Sequence, residues 1–346
     1  MTKGGEKVKV SIKKISQATG FSPATVSNAL NRKKGVNSET SEKIFRAAEE
    51  LGYHPEKVIT KIKFVTYRKN GRIIDNNQFF PAMIEGVEKQ AKDLGYETIF
   101  SRLDCEDESF EERLSEVLED TGSLMILLGA EMMDEDFLAF RDYKGHMVLL
   151  DGWSEDMRFD GVLINNTDSV CHAMEYLIRK GHKEIGYLRG NYRIKAFRYR
   201  EYGYVRVLGK YGFPIRKEYQ VTIGTQLETA YEDMKKFLEK DPKLPTAYFA
   251  DNDIIALGAM RALKEKGIRI PEDVSIVGFD DIPFGAVSAP ELTTIHVYKQ
   301  ELGKVAVRRV LDHIQYPGRH ERMKIQICTK FIERGSVKDL RGQEGG

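Results

Sequence analysis

The stretch Ser22-Pro-Ala-Thr-Val-Ser-Asn-Ala-Leu-Asn31 decides how this 346-residue chain is read. Serine is a favoured N-cap and proline a favoured first helical residue, so a helix opens at Pro23. Val26, Ala29 and Leu30 fall on one side of it, and Ala24, Thr25, Ser27, Asn28 and Asn31 on the other. Upstream, Ser11 caps a short helix with Ile12, Ile15 and Ala18 on one face, and Gly20 supplies the left-handed residue that ends it. Downstream, Asn37-Ser-Glu-Thr-Ser-Glu42 caps a third helix, in which Ile44, Ala47, Ala48 and Leu51 follow the helical period until Gly52. Two short helices joined by a tight turn, with a third packed across them, make a helix-turn-helix.

Charge points the same way. Residues 1–60 carry 11 Lys+Arg against 6 Asp+Glu, whereas the whole chain is balanced at +1. A small basic head on a mildly acidic body suits a polyanionic partner.

From Ile62 onward the pattern changes. Short apolar runs, expected as strands at Lys63–Tyr67, Thr98–Phe100, Leu124–Leu128, Met147–Leu150, Gly161–Ile164, Ile185–Leu188, Ala247–Ala250 and Val274–Phe279, alternate with amphipathic segments that close on glycine. That rhythm predicts parallel sheets covered by helices on both faces. A body of this length suits two such subdomains with a cleft between them, and ligands of open α/β sheets sit at the carboxyl ends of the strands.

At this level of detail the sequence resembles the LacI-type (lactose/galactose repressor) family. Val10 to Asn31, Val36-Asn-Ser-Glu-Thr40 and Leu51-Gly-Tyr-His-Pro55 match its head. Leu177-Ile-Arg-Lys-Gly-His-Lys-Glu-Ile-Gly-Tyr187, Arg200-Glu-Tyr-Gly-Tyr204, Asn252 to Leu263, Pro271 to Pro283, Leu292-Thr-Thr-Ile-His296 and Arg334-Gly-Ser336 match its effector domain. The resemblance implies an all-α helix-turn-helix head (1–56), a short hinge (57–61) and a periplasmic-binding-protein-like effector domain (62–335). Within that domain, one subdomain would comprise about 62–163 plus 292–322 and the other about 164–291 plus 323–335, with 336–346 as a tail that reads as loose from Asp339 onward.

By the same resemblance Pro23, Ala24 and Asn28 hold base-reading positions, and Ser22, Thr25, Ser27 and Asn31 phosphate positions. Val58 and Ile59 would supply a shortened hinge wedge; the family's usual minor-groove leucine has no counterpart here. In the cleft, Arg200 would clamp ligand oxygens with its fork of donors. Asp253, Asp280 and Asp151 would accept from sugar hydroxyls, and Phe79 and Phe80 would face apolar C–H groups. Trp153, just after Asp151, could stack likewise, against the plainer reading of a surface or interface aromatic. Arg193, Lys195, Arg198 and Arg200 crowd one segment, which raises the idea of an effector bearing a carboxylate or phosphate, against the plainer reading that three of them face solvent.

Other chemistries lack their residues. The three cysteines (Cys105, Cys171, Cys328) imply no disulfide framework, and no metal-ligand spacing, P-loop or nucleophile elbow occurs. No cofactor, metal or catalytic residue is therefore expected. No stretch reaches the roughly 20 apolar residues of a membrane span, and the polar start lacks a signal-peptide core, so a cytoplasmic location is expected. No apolar heptad tail follows Ser336, which favours a homodimer over a tetramer.

The sequence thus points to a DNA-binding transcriptional regulator, with repression as the default sign, reading a palindromic operator under control of a carbohydrate-like effector. A sugar sensor without specific DNA binding, and an α/β enzyme acting on sugars or nucleosides, stay open as alternatives.

Overall fold

The computed structural model describes residues 11–30, 36–51, 59–75, 78–316 and 321–341, and divides into two compact units, Met1–Ile59 and Thr60–Gly346. In the first unit α1 (Ile12–Thr19), α2 (Pro23–Leu30) and α3 (Ser38–Glu50) enclose a core of Ile15, Val26, Ala29, Leu30, Ile44 and Ala48. Local chemistry sets each boundary. The Ser11 hydroxyl accepts from the Lys14 N–H, and the Asn37 side chain accepts from the Thr40 N–H at 2.8 Å. Gly20 sits at φ 71° and returns its N–H to the Ser16 carbonyl, turning the chain toward α2.

The second unit begins with β1 (Lys61–Arg68), α4 (Phe79–Asp93), β2 (Glu97–Asp104), α5 (Phe110–Glu119), β3 (Leu124–Leu128), β4 (His146–Leu150) and β5 (Asp160–Ile164). It continues through α6 (Asn166–Arg179), β6 (Ile185–Gly190), α7 (Lys195–Tyr211), β7 (Gln220–Ile223), α8 (Leu227–Leu238), β8 (Ala247–Ala250), α9 (Asp253–Glu265), β9 (Ser275–Val277), α10 (Pro283–Val287) and β10 (Thr294–His296). The chain then re-enters the first lobe as α11 (Lys299–Gln315) and β11 (Lys324–Ile327), and leaves it as β12 (Lys330–Ile332).

The first lobe is a six-stranded sheet in the order β11-β5-β4-β3-β1-β2, and the second a four-stranded sheet in the order β7-β6-β8-β9. Both are parallel throughout. Strands covered on both faces read as unbroken apolar runs, and all five residues of β3 are buried. Helices α4 and α11 meet at two glycines: a Cβ on Gly86 would lie 2.1 Å from the Gln300 carbonyl oxygen, and one on Gly303 would lie 2.3 Å from that of Met83.

Three boundaries differ from the sequence expectation. Strand β11 pairs in parallel with β5, so the last crossover follows Ile327 rather than residue 322. Residues Thr293 and His296 bridge to Val277 and Asp280 of the second lobe, which moves the middle crossover past His296 rather than 291. The segment 336–341 is no loose tail. Ser336 is fully buried and donates to the Ile276 carbonyl at 2.6 Å, and the Leu340 N–H reaches the Lys180 carbonyl at 2.8 Å. Both backbone groups and a hydroxyl find partners there, which keeps that stretch packed on the second lobe.

Candidate functional sites: the helix-turn-helix face and the interlobe cleft

On α2 the apolar side is consumed by the three-helix core, which leaves Ser22, Pro23, Ala24 and Asn28 exposed and Thr25 and Ser27 half-buried. The Ser22 hydroxyl accepts from the Thr25 N–H at 3.1 Å and lies 2.8 Å from the Thr25 hydroxyl. Ser22 therefore works as the cap of α2 as well as standing at its outer end. Small groups at Pro23 and Ala24 let a surface approach the helix backbone closely, and the Asn28 amide offers both donor and acceptor, the pairing that suits a base edge in the major groove. Asn31 and Val58 lie outside the described residues; Ile59 is half-buried.

In the second unit the candidate effector residues converge where the two sheets end. Arg200, on α7, is only 3% exposed. Its Nε donates to the Asn166 side chain at 2.9 Å, Nη1 to the Asp251 carbonyl at 2.5 Å and Nη2 to Asp280 Oδ1 at 3.3 Å. The guanidinium lies 3.6 Å from the centre of the Phe279 ring. Three of its five N–H donors thus have partners on the protein, which makes Arg200 a strut across the second lobe in this arrangement. A buried charge must be matched on the spot, and here it is.

Asp253 is likewise withdrawn. It is fully buried, accepting from the Thr294 hydroxyl at 2.5 Å and the Ile282 N–H at 2.9 Å. Burial, reinforced by the nearby Asp280, pushes its carboxyl up to about 8. Each oxygen of the Asp253 carboxyl thus has a partner on the protein in this arrangement. Its position just after the Asn252 cap turns the side chain toward β10 rather than the cleft.

Asp280, at φ 115°, is also buried, and burial raises its carboxyl against the pull of Arg200 and Lys299. Phe79 and Phe80, at the start of α4, are buried with their rings edge to face at 5.2 Å. The Lys299 ammonium, 5.4 Å from the Phe79 ring centre, donates to the Asp280 carbonyl.

Asp151 stands apart. It follows β4 at φ 52°, an uncommon conformation for a residue with a side chain. Burial pushes its carboxyl up to about 7, with Arg200 opposing the rise. It lines a cavity of about 110 Å³ whose walls come from both lobes, among them Trp153, Asn166, Lys195, Tyr199 and Gln326. Trp153 is buried in the cavity wall rather than at an open surface.

The lobes also touch across the cleft. Lys195 of α7 donates to Asp134 at 2.5 Å and to the Trp153 carbonyl at 2.7 Å. The Thr225 hydroxyl donates to the Arg72 carbonyl at 3.3 Å, and the Arg72 guanidinium lies over the Tyr192 ring. The loop carrying Arg72 is pinned by Glu131, whose buried carboxylate accepts from the N–H groups of Lys69, Asn70, Gly71, Ile73 and Ile74.

Asn166, Glu131, Asp251 and Lys299 are the structural participants that sequence reasoning missed. Their residue types are common in turns and helix starts, and only the pairing of strands brings them together. Among the described residues no helix is long and apolar enough to cross a membrane.

Comparison with known proteins fits this architecture. Residues 11–56 match the model for bacterial regulatory proteins of the lacI family, and residues 174–337 that for a periplasmic binding protein-like domain. The HTH-type transcriptional repressor PurR of Vibrio cholerae serotype O1 (strain ATCC 39315 / El Tor Inaba N16961) is 31% identical over 334 residues, covering 95% of this chain and 98% of that protein. The PurR repressor of Actinobacillus pleuropneumoniae serotype 3 (strain JL03) is 29% identical over 332 residues, with 95% and 98% covered. Among solved structures, a complex of the regulator CelR with cellobiose superposes with a TM-score of 0.71 at 22% identity, covering 95% of this chain and 100% of that one. The Lac repressor bound to ONPG in its repressed state gives 0.70 at 23% identity, with 95% and 100% covered. With that identity to a repressor aligned over nearly the whole of both chains, the protein belongs to the lacI family of bacterial regulatory proteins.

Proposed function

We propose that this chain is a transcriptional repressor that reads a palindromic operator as a homodimer and binds a small effector between its two lobes. The observation that carries the reading is the division of labour in α2, whose apolar side closes a core while Pro23, Ala24 and Asn28 stand open to a partner. In this reading Asn28 contacts a base edge, Ser22, Thr25, Ser27 and Asn31 hold phosphates, and Val58 and Ile59 form a short hinge. A two-fold dimer pairs with a two-fold site because protein and DNA then share an axis.

The effector part of the reading rests on a cavity walled by both lobes and lined by Asp151, Trp153, Asn166, Lys195 and Tyr199. A ligand bridging two lobes changes their relative free energy in open and closed arrangements. Couplings of this sort run to about 1–3 kcal/mol, or roughly 5- to 150-fold in operator affinity.

Two effector classes have support. A carbohydrate suits the fold neighbours solved with cellobiose and with ribose. A purine-related compound suits the PurR repressors among the sequence relatives.

The test is selection of DNA from a random pool by the purified full-length chain, followed by titration of the selected site with sugars and nucleobases. Enrichment of a palindrome whose affinity shifts with one compound is the expected outcome. Recovery of unrelated sequences, with ligand binding intact, would replace the reading by a sensor without specific DNA binding.

A further inference from the structure

The loop that follows β1 is not helical, yet its backbone is fixed donor by donor. The Glu131 carboxylate, fully buried shortly past the end of β3, accepts at Oε2 from the N–H groups of Lys69 (2.8 Å), Asn70 (3.1 Å) and Gly71 (3.1 Å). At Oε1 it accepts from those of Ile73 (2.9 Å) and Ile74 (3.2 Å). The remaining two are also taken: the Arg72 N–H reaches the Asn70 side-chain oxygen at 3.1 Å, and the Asp75 N–H the Gly71 carbonyl at 3.1 Å. The outer end is tied by the Asp75 carboxylate, which accepts from Arg68 Nε at 2.8 Å and Arg102 Nη2 at 3.3 Å. Gly71, at φ 70°, has no room for a side chain, because a Cβ there would collide with the Asp75 carboxylate and the Arg68 guanidinium. Every backbone donor from Lys69 to Asp75 therefore has a partner, and charge-assisted bonds to one carboxylate set the shape of the loop.

What this fixed loop carries reaches the other lobe. The Arg72 carbonyl accepts from the hydroxyl of Thr225, a buried residue between β7 and α8, and the Arg72 guanidinium lies 5.8 Å from the ring centre of Tyr192, between β6 and α7. The bonds to Glu131 all lie inside the first lobe, but they decide where Arg72 stands. A second bridge uses Lys195. Of the four basic residues crowded at 193–200 only Arg198 is exposed, and Lys195 is committed across the cleft to Asp134 and the Trp153 carbonyl.

We propose that the loop Lys69–Ile74 is a strap that pairs the two lobes by contacts of the chain's own, independently of an effector, and that Glu131 sets its grip from the first lobe without reaching the second. One hydroxyl and one ring return little to a loop that must first be ordered, since ordering costs about as much as such contacts give. Here the ordering is completed inside the first lobe, so the contacts across the cleft keep their full effect. An effector then meets lobes that are already paired. It shifts operator affinity only by its preference between the paired and parted arrangements.

The single tryptophan of the chain reports on the gap. Trp153 is 9% exposed in the wall between the lobes, so parting them opens it to a neutral quencher. Acrylamide quenching of the full-length chain, with no ligand added, is measured with the Lys195 bridge intact and with that bridge cut by Asp134→Ala. Glu131→Gln keeps the volume but turns one acceptor oxygen into a donor group, while Thr225→Val and Tyr192→Leu remove the contacts on the second lobe. With the bridge cut, each should raise the Stern–Volmer constant by about twofold or more, and Lys236→Ala, exposed on α8, should leave it unchanged. Glu131→Gln combined with Thr225→Val should add little to either alone, because both cut one strap although they stand on different lobes.

Unchanged quenching in Thr225→Val and Tyr192→Leu would overturn the strap even if Glu131→Gln raised it, since Glu131 would then be only a brace of the first lobe. Full additivity in the double variant would overturn the part assigned to Glu131. If Glu131→Gln fails to fold, the two second-lobe variants still decide. Anisotropy with the selected operator is read on the same proteins, and a shift in affinity should accompany the rise in quenching. A rise without that shift keeps the strap and detaches lobe pairing from operator control.

Discussion

The head and the cleft hold their polar residues in opposite ways. On α2 the side chains assigned to DNA sit outside a closed apolar core, and removing Asn28 takes nothing from Ile15, Val26 or Ile44. In the cleft, Arg200, Asp251, Asp253 and Asp280 are buried, and each is a neighbour's partner. Recognition and stability are therefore separable in the first unit and fused in the second. A head of this kind can change its target by surface substitution, whereas a cleft of this kind must rebuild a network to change its ligand.

The largest effect that tests this contrast belongs to Arg200. Arg200→Met removes a buried guanidinium and leaves the Asp280 carboxyl without its partner, which costs about 3–5 kcal/mol of stability when one member of a buried pair is lost. Denaturant unfolding of the second unit's transition should show it; a loss under 1 kcal/mol would mean that Arg200 is not the strut described. Asn28→Ala should do the reverse, weakening operator binding by about 1–3 kcal/mol, or roughly 5- to 150-fold, with the melting temperature unchanged. Equal losses in binding and stability would erase the distinction between the two regions.

Much of the head was legible because its signals are local. Ser11, Gly20, Ser22-Pro23 and Asn37 set helix ends by interactions within a few residues, and the spacing of Val26, Ala29 and Leu30 names the buried face. The parallel strands of the body were legible as apolar runs for a similar reason. The cleft was legible only as a set of residues. Nothing in the neighbourhood of Arg200 announces that Asn166, 34 positions earlier, and Asp280, 80 positions later, will occupy its donors. Strand β11 was missed because its burial alternates at the sheet edge and gives no apolar run, and the packed 336–341 segment because its anchors are backbone groups and one serine.

A third, smaller effect concerns Asp253. Its carboxyl has its proton affinity raised in the folded chain, to about 8, while in the unfolded chain it ionises in the ordinary carboxylate range. Between those two values the folded state binds more protons, so this residue makes stability fall as pH rises from about 4 to about 8. In Asp253→Asn that contribution disappears, and the slope of unfolding free energy against pH should become less negative across the window. An unchanged slope would mean that Asp253 is ionised in the fold.

The smallest effect returns to the head. Ser22→Ala removes the hydroxyl that accepts from the Thr25 N–H and should cost about 1 kcal/mol of helix stability. Ser22→Gly should cost only a few tenths. A fall in operator affinity beyond what that stability loss explains would show the hydroxyl touching DNA as well as capping α2.

The Glu131 carboxylate invites one last consequence. Successive N–H groups curled around a point form a nest, the backbone device by which many proteins hold a phosphate. Between Lys69 and Ile74 this chain builds one and fills it with its own glutamate. The loop is thereby shaped like an anion receptor while being closed to anions from outside. A Glu131→Ala change would empty the receptor and convert a fixed piece of scaffold into a vacancy for inorganic phosphate.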